Sequence, residues 1–252
     1  MSRFKNMPKS KIPAKGETRQ RRQNPKVIIV MGPPGAGKGT QAELLAEKLN
    51  LYYFETSKII EAKVMIAKKG DYEIVNSKKY SLEKERKLWK SGKLNTPEVV
   101  SFWVKNKIKE LFKEGRNLIL AGSPRSLYEG KEIIPLISKL YGPKNIKIIL
   151  LGISTKETIF RNSHRRICEL MRHPILYLKE TIRLKRCPLD GSKLVKRGKL
   201  DKPETIKVRL KEYEERTFPL IDYFKKEGLK VTKINGSPPS AIVFKNILKT
   251  LG

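Results

Sequence analysis

The sequence predicts an α/β fold in which a parallel sheet is flanked by helices, and three observations support this. From residue 27 onward, short apolar runs alternate with longer amphipathic stretches, which is the pattern of successive strand–helix–strand units. The first apolar run leads directly into a glycine-rich turn and a helix, as phosphate-binding folds do. The 252 residues, of which 38% are hydrophobic, can bury the core of one large domain.

The predicted strands are five apolar runs, each short enough to be a strand buried in a parallel sheet. They are Val27–Met31, Leu51–Phe54, Leu118–Ala121, Ile146–Leu151 and Leu229–Ile234. Between them, the spacing of apolar residues predicts helices near 40–49, 56–68, 79–91, 96–115, 126–140, 154–165, 203–227 and 237–250. Residues 166–202 interrupt this alternation and are predicted to form an inserted, lid-like segment.

The first 26 residues are predicted to be a disordered basic arm. They hold nine Lys/Arg and one Glu, with few large apolar side chains, so they bury too little surface to offset the entropy of ordering. Two interpretations stay open: a solubilising leader, or an electrostatic tether for RNA or another polyanion.

The whole chain carries 56 Lys+Arg against 25 Asp+Glu, a net charge of +31. Such a field attracts anions, so nucleotides, nucleic acid and anionic membrane surfaces are the partner classes to weigh. A generally lysine-rich proteome would give the same excess without any dedicated partner. About +8 of the charge lies in the arm and +9 in residues 161–200. The charge therefore indicates a site for nucleotide phosphates in the first place, and only secondarily, through the arm, RNA binding.

Several classes of protein are excluded by simple features. There is no run of about 18 apolar residues for a transmembrane helix, and the N-terminus lacks the apolar region of a secretory signal. Two cysteines are too few for a disulfide framework. We therefore expect a monomeric cytoplasmic protein with no membrane partner.

The strongest motif is GPPGAGKGT, residues 32–40, between the first strand and the first helix. Glycines let backbone N–H groups surround phosphate oxygens, the helix N-terminus adds its dipole, and Lys38 adds a positive charge. This motif predicts a nucleoside-triphosphate site. The residues expected to bind ATP in it are Gly35, Ala36, Gly37, Lys38, Gly39 and Thr40.

One detail of this loop narrows its class. Gly39 separates Lys38 from Thr40, whereas the general phosphate loop has Ser or Thr directly after the lysine. The stretch GPPGAGKGTQAELLAEKL resembles the adenylate kinase family of nucleoside monophosphate kinases, in its bacterial form. Four further stretches extend the resemblance to about residue 251: GKLNTPEVV (92–100), GSPRS (122–126), RNSHRR (161–166) and ETIKVRLKEYEERTFPLIDYF (204–224).

The resemblance implies a P-loop NTPase-like, five-stranded parallel sheet with two inserted subdomains. The implied kinase domain covers 27–251, divided into a core of 27–55, 93–165 and 203–251, a monophosphate-binding insert of 56–92 and a lid of 166–202. It also implies the reaction ATP + AMP = 2 ADP with Mg²⁺. The alternative is a catalytically impaired kinase-fold protein that binds RNA or ribonucleoprotein through its basic surface.

Arginines are the expected catalytic groups, because phosphoryl transfer needs charge neutralisation and positioning, and arginine forks bind phosphate oxygens bidentately. By resemblance, Arg125 holds the phosphate of the monophosphate, Arg161 lies against the ATP base, and Arg165 binds the ATP phosphates. Arg209 reaches the transferring group, and Arg197 is a weaker lid candidate because its surrounding pattern differs from that of the family. The expected catalytic set is Lys38, Arg125, Arg165 and Arg209.

The acceptor side departs from the family pattern. The residues expected there by resemblance are Thr56, Lys58, Lys93, Leu94, Asn95, Gly122, Arg125, Glu129 and Arg209. Lys58 replaces an Asp, and Glu61 replaces the arginine expected on the monophosphate, so Lys58 is the candidate substitute cation. The segment 61–91 is also about ten residues longer than expected, which suggests a loop.

Two further departures concern the metal and the base. Ala121 stands where the family has an Asp that organises water around Mg²⁺, which weakens the surroundings of the metal and suggests altered activity. Glu129 stands where the family has the glutamine that reads adenine. An ionised carboxylate only accepts hydrogen bonds, so a base with more donors stays an alternative to adenine.

The two cysteines bracket the expected lid. Cys168, Cys187 and Asp190 match three of the four zinc ligands in related bacterial lids, and Met171, a poor zinc ligand, stands at the fourth. His173 could substitute for it. Two interpretations stay open: a structural zinc site, or a relict site whose lid is held by packing.

Overall fold

The computed structural model describes residues 27–196 and 198–251, so the predicted arm of residues 1–26 and the candidate Arg197 lie outside the described residues. The strands are β1 (Val27–Met31), β2 (Tyr52–Glu55), β3 (Tyr72–Val75), β4 (Lys78–Ser81), β5 (Leu118–Ala121), β6 (Ile146–Gly152), β7 (Arg166–Cys168), β8 (Pro174–Ile175), β9 (Leu194–Lys196) and β10 (Val231–Asn235). The helices are α1 (Lys38–Leu49), α2 (Thr56–Ile66), α3 (Leu82–Ser91), α4 (Pro97–Lys113), α5 (Leu127–Tyr141), α6 (Thr155–Ser163), α7 (Pro203–Glu212), α8 (Leu220–Lys226) and α9 (Ser240–Leu251). None of these helices combines the length and apolarity needed to cross a bilayer.

Five parallel strands form the central sheet in the order β10–β6–β1–β5–β2, which confirms the predicted fold class. Strand β1 lies in the middle, where Val27 pairs with Leu118 of β5 and with Ile146 of β6. All five residues of β1 are buried, since both faces of the sheet are covered by helices.

The two faces of the sheet have separate apolar layers. Alternate β1 residues, Val27 and Ile29, pack in the layer that also holds side chains of α2, α4, α5 and α8. The intervening Ile28 and Val30 pack in the layer formed with α1 and α9. Because the strands are parallel, their carboxyl ends share one edge, and the loops that follow β1, β5 and β6 meet there.

Part of the expected insert differs from the prediction. The helix predicted near 79–91 begins only at Leu82, because the residues before it form the antiparallel hairpin β3–β4. Its turn residues, Asn76 and Ser77, have φ values of 48° and 61°, as a two-residue hairpin turn requires. Glu73 of β3 accepts a hydrogen bond from the Trp103 indole at 2.6 Å, which fastens the hairpin to α4.

The helix predicted over 203–227 is interrupted. Helix α7 leads into a π-helical turn, Tyr213–Thr217, and α8 begins after Pro219. A proline inside a helix removes one backbone donor and clashes with the preceding turn, which explains the break. The segment predicted as the lid contains a three-stranded sheet in the order β8–β7–β9. The subdomain boundaries themselves stay a prediction.

Candidate active site

A cleft of about 620 Å³ lies at the carboxyl edge of the sheet. The phosphate loop after β1 forms one wall, and the loop after β5 forms another. Residues of α6, α7 and the segment after β8 complete it. Clefts at this edge are the usual ligand sites of parallel α/β sheets.

The phosphate loop is shaped for an anion. Gly35 and Gly37 have φ values of 82° and 86°, a region that other residues rarely adopt. Helix α1 begins at Lys38, so its positive dipole end faces the loop. The Lys38 ammonium donates to the backbone oxygens of Gly32 at 2.8 Å and Pro33 at 2.9 Å. All the residues predicted to bind ATP in this loop, residues 35–40, line the cleft.

Arg161 and Arg165 also line the cleft. Arg161 pairs with Glu157 at 2.5 Å and donates to the backbone oxygen of Ser237 at 2.9 Å. The sequence placed both arginines on one helix, but α6 ends at Ser163, so Arg165 lies just beyond it. Their four-residue spacing still brings both into the same cleft.

Two of the predicted catalytic arginines converge on one carboxylate. Arg165 binds both oxygens of Asp201, with a distance of 3.0 Å from Nε to Oδ2. Arg209 lies 3.8 Å from the same carboxylate. The Asp201 side chain is only 5% exposed, so its negative charge is compensated mainly by these two arginines and hardly by water. The two guanidinium groups are therefore already gathered at one point of the cleft.

Arg125 lines the cleft beside Gly122, whose backbone oxygen accepts from the Arg125 side chain. Behind it, Glu129 accepts from the Arg125 amide at 2.8 Å. Burial raises the pKa of Glu129, although the Arg125 charge opposes this. Glu129 is not among the described residues that line the cleft. Its carboxylate therefore holds the Arg125 loop in this structure.

The other predicted acceptor residues divide into two groups. Lys58, Lys93, Leu94 and Asn95 line the cleft. Thr56 is fully buried, is absent from the described cleft wall, and has a hydroxyl without a partner.

A residue of the predicted lid lies against Glu61, the position where the resemblance implies an arginine. Glu61 pairs with Arg172, between β7 and β8, at 3.7 Å. Lys58, the candidate substitute cation, pairs with Glu55 at 3.2 Å. The cations of this corner of the cleft thus come from both the insert and the predicted lid.

The sequence missed the contribution of the π-helical turn. Tyr213 and Thr217 of this turn line the cleft, as does Glu212 at the end of α7. The Thr217 hydroxyl donates to the backbone oxygen of Arg125 at 2.5 Å, and burial raises the pKa of Tyr213 to about 12. These residues belong to the stretch that resembled the family, but apolar spacing gives no signal for a π turn.

Four potential metal ligands cluster between β7 and β9. The ligand atoms of Cys168, His173, Cys187 and Asp190 all lie within 4.8 Å of one another. Two sulfurs, one imidazole nitrogen and one carboxylate oxygen are a donor set that zinc accepts. Both thiols are free and buried, whereas the Met171 side chain is 66% exposed. His173 therefore occupies the place in the cluster that the sequence left uncertain.

Comparison with known proteins gives the family. The family model for adenylate kinase matches residues 30–229. The chain belongs to the adenylate kinase family. The adenylate kinase of Caldicellulosiruptor saccharolyticus is 33% identical over 231 residues, covering 89% of this chain and 98% of that protein. The adenylate kinase of Methanothrix thermoacetophila is 30% identical, covering 89% and 97%, and that of Chlamydia muridarum is 31% identical, covering 91% and 88%.

Membership of the adenylate kinase family makes this chain a nucleoside monophosphate kinase and a phosphotransferase. The resemblance drawn from the motifs is therefore confirmed. The cleft agrees with the family's chemistry, since phosphoryl transfer between nucleotides needs an anion-binding loop and several positioned cations.

Proposed function

We propose that this chain transfers the γ-phosphoryl group of ATP to AMP, giving two ADP, with Mg²⁺ bound to the ATP. The observation that carries the proposal is the convergence of Lys38, Arg125, Arg165 and Arg209 on one cleft. Four cations around a glycine-rich loop match the negative charge of two phosphate chains brought end to end.

Each cation has a distinct proposed role. Lys38 begins α1 and leaves two backbone oxygens to bind the β- and γ-phosphates. Arg165 and Arg209 exchange their shared carboxylate, Asp201, for the oxygens of the transferring group. Arg125 binds the phosphate of AMP, and Glu129 holds its loop in place. Exclusion of water from the closed cleft would strengthen each of these contacts.

Mg²⁺ would be held chiefly by the ATP phosphates. Ala121, at the end of β5, offers no carboxylate to its hydration shell. Thr40, two residues after Lys38, lines the cleft, and its hydroxyl is the proposed protein ligand of the ion. Magnesium usually keeps several waters when it binds phosphates, so the ion needs few protein ligands.

The test is a panel of nucleoside monophosphates with ATP and Mg²⁺, assayed for diphosphate products with the wild type and with Lys38→Met. We expect AMP to be the best acceptor and the variant to lose roughly 10²-fold or more in turnover. Lys48→Met, an exposed lysine of the same helix, is the matched control and should stay active. Near-normal ADP formation by the Lys38→Met variant would overturn the assignment.

We propose that Cys168, His173, Cys187 and Asp190 hold a structural zinc ion. When bound, zinc would replace thiol and carboxylate hydrogen bonds such as that from Cys168 Sγ to Asp190 at 2.9 Å. Metal analysis of the purified chain should find about one zinc per molecule, lost in Cys168→Ser and retained in the control Met171→Ala. Full thermal stability in the presence of a chelator, with no zinc detected, would favour a lid held by packing.

Support for the RNA-binding alternative is lacking. The relatives are named as adenylate kinases, and the basic arm that motivated the alternative lies outside the described residues. Monomeric state and cytoplasmic location stay predictions from the sequence. Light scattering after size-exclusion chromatography measures the first.

A further inference from the structure

The main chain of Arg125 is held on both sides by side chains. Its N–H donates to the Glu129 carboxylate at 2.8 Å, and its carbonyl oxygen accepts from the Thr217 hydroxyl at 2.5 Å. Arg125 lies in the loop between β5 and α5, and in loops side chains commonly satisfy the backbone groups that no ladder or helix pairs. With both groups bound, rotation of the Arg125 backbone would break at least one of these hydrogen bonds.

These two side chains come from different parts of the chain. Glu129 lies in the first turn of α5, four residues after Arg125, so it orders the loop locally. Thr217 is 92 residues away in the sequence and belongs to the π-helical turn. Of the two contacts, the one from Thr217 is therefore the one that fixes where the Arg125 loop lies relative to a distant segment.

The π-helical turn continues the helix that carries Arg209. Helix α7 runs into the turn without an intervening loop. The Phe218 N–H donates to the Tyr213 backbone oxygen, five residues earlier, at 2.8 Å, which is the hydrogen bond of a π helix. Turns of this kind within helices often occur at functional sites. The Thr217 hydroxyl thus connects the Arg125 loop to the helical run that holds Arg209 in the cleft.

This helical run is itself anchored beside the cleft. At the end of α7, Glu212 accepts from the Leu94 N–H at 3.3 Å and from the Arg216 guanidinium at 3.1 Å. The Thr217 hydroxyl therefore projects from a segment that other contacts hold in place. A hydroxyl on such a segment can position the loop that it binds, because the loop then moves only if the hydrogen bond breaks.

We propose that Thr217 is a positioning residue for phosphoryl transfer, whose hydroxyl holds the Arg125 carbonyl and so sets the place of the Arg125 guanidinium relative to Arg209. Phosphoryl transfer needs the attacking and leaving oxygens in line, and a small misplacement of a binding group costs much of the rate. Thr217 acts here through Arg125 and needs no contact with the nucleotide. The inference rests on the proposed function, since that function assigns the AMP phosphate to Arg125.

The first experiment compares Thr217→Val and Thr217→Ser with the wild type for kcat and for the KM values of AMP and ATP. Valine keeps the branched shape and removes the donor, so kcat/KM for AMP should fall roughly tenfold, the effect of about one lost hydrogen bond. The KM for ATP should be unchanged, because Arg125 is proposed to bind AMP. Serine keeps the hydroxyl and should restore most of the wild-type value.

A double-mutant cycle with Arg125→Ala tests whether Thr217 acts through Arg125. Once the guanidinium is gone, the position of the loop no longer places a cation, so Thr217→Val should add little to the loss caused by Arg125→Ala. Losses that simply add would mean that Thr217 contacts the nucleotide directly or acts elsewhere, and would overturn the proposal. Calorimetric binding of AMP to the same four proteins gives the cycle a second readout, independent of turnover.

Thr250→Val is the matched control. The Thr250 hydroxyl also donates to a backbone oxygen, that of Ile247 at 2.7 Å, but Thr250 is not among the described residues of the cleft wall. This variant should keep the wild-type kcat and KM values. A Thr217→Val protein with a lower melting temperature but wild-type kcat/KM for AMP would show that the hydroxyl only stabilises the fold, against the proposal. If Thr217→Val does not fold, Thr217→Ala removes the same donor and decides.

Calorimetric binding of AMP also separates this inference from the proposed function. A wild type that phosphorylates no monophosphate would refute the proposed function alone. In that case, weaker AMP binding by Thr217→Val than by the wild type, with no such difference in the Arg125→Ala background, would still support the positioning role of Thr217. Equal AMP binding by Thr217→Val and the wild type, or none by either, would refute it.

Discussion

Replacing Asp201 with asparagine should destabilise the nucleotide-free chain, and a bound ATP analogue should restore much of the loss. Arg165 and Arg209 both rely on this carboxylate, whose side chain is 5% exposed. Without it, two positive charges face each other across a mostly buried site. ATP phosphates would supply the missing negative charge, so the variant should gain more stability from nucleotide than the wild type does.

The magnitude follows from burial. Breaking a buried ion pair on one side costs about 3–5 kcal/mol, but Arg165 and Arg209 are 20% and 23% exposed, so solvent screening lowers the cost to about 2–3 kcal/mol. In a domain of this size, each kcal/mol shifts the melting temperature by about 2–4 °C. We expect a decrease of roughly 4–12 °C.

Differential scanning calorimetry with and without a non-hydrolysable ATP analogue measures both effects. Asp222→Asn is the matched control, because Asp222 is 77% exposed and pairs with Lys225 on the surface, where such pairs contribute little. If Asp201→Asn melts with the wild type, or gains no more from nucleotide than Asp222→Asn does, the shared carboxylate does not hold the two arginines as described.

Two further predictions concern the acceptor side. In a double-mutant cycle of Glu61→Gln and Arg172→Gln, the coupling in unfolding free energy should be about 0.2–1 kcal/mol at low salt and vanish in 1 M NaCl; coupling that persists in high salt would contradict a half-exposed ion pair. Burial raises the pKa of Glu129, so the stability it contributes is present at low pH and lost as pH rises through that pKa. The unfolding free energy of the wild type relative to Glu129→Gln, from urea titrations, should therefore fall as pH rises from the ordinary glutamate range; a pH-independent difference would refute this.

Much of the core could be predicted because parallel strands are buried on both faces. Such strands are continuous apolar runs, and all five predicted ones correspond to strands of the central sheet within one to two residues at either end. The β3–β4 hairpin escaped prediction for the opposite reason. Val75 is its only buried residue, so neither face gives the alternation that marks a half-buried strand.

The site, too, contains residues that the sequence identifies and residues that it does not. The phosphate loop is contiguous in sequence, so its spacing alone identified the residues that line the cleft. Asp201 and Glu212 give no such signal. Asp201 binds Arg165, which is 36 residues away in the sequence, and Glu212 binds the Leu94 amide, which is 118 residues away. A carboxylate becomes informative only when folding shows which donors it faces and how little water reaches it.

The hairpin also makes the chain accessible to engineering. Its turn residues, Asn76 and Ser77, are exposed, and no residue of 72–81 lines the cleft. The Glu73–Trp103 hydrogen bond anchors the hairpin to α4, and Val75, next to the turn, is buried. The entropy of closing a loop grows only slowly with its length, so the turn should tolerate a peptide inserted between Asn76 and Ser77. A fluorophore on that peptide would report on movement of this segment. The insertion would leave every phosphate-binding residue unchanged.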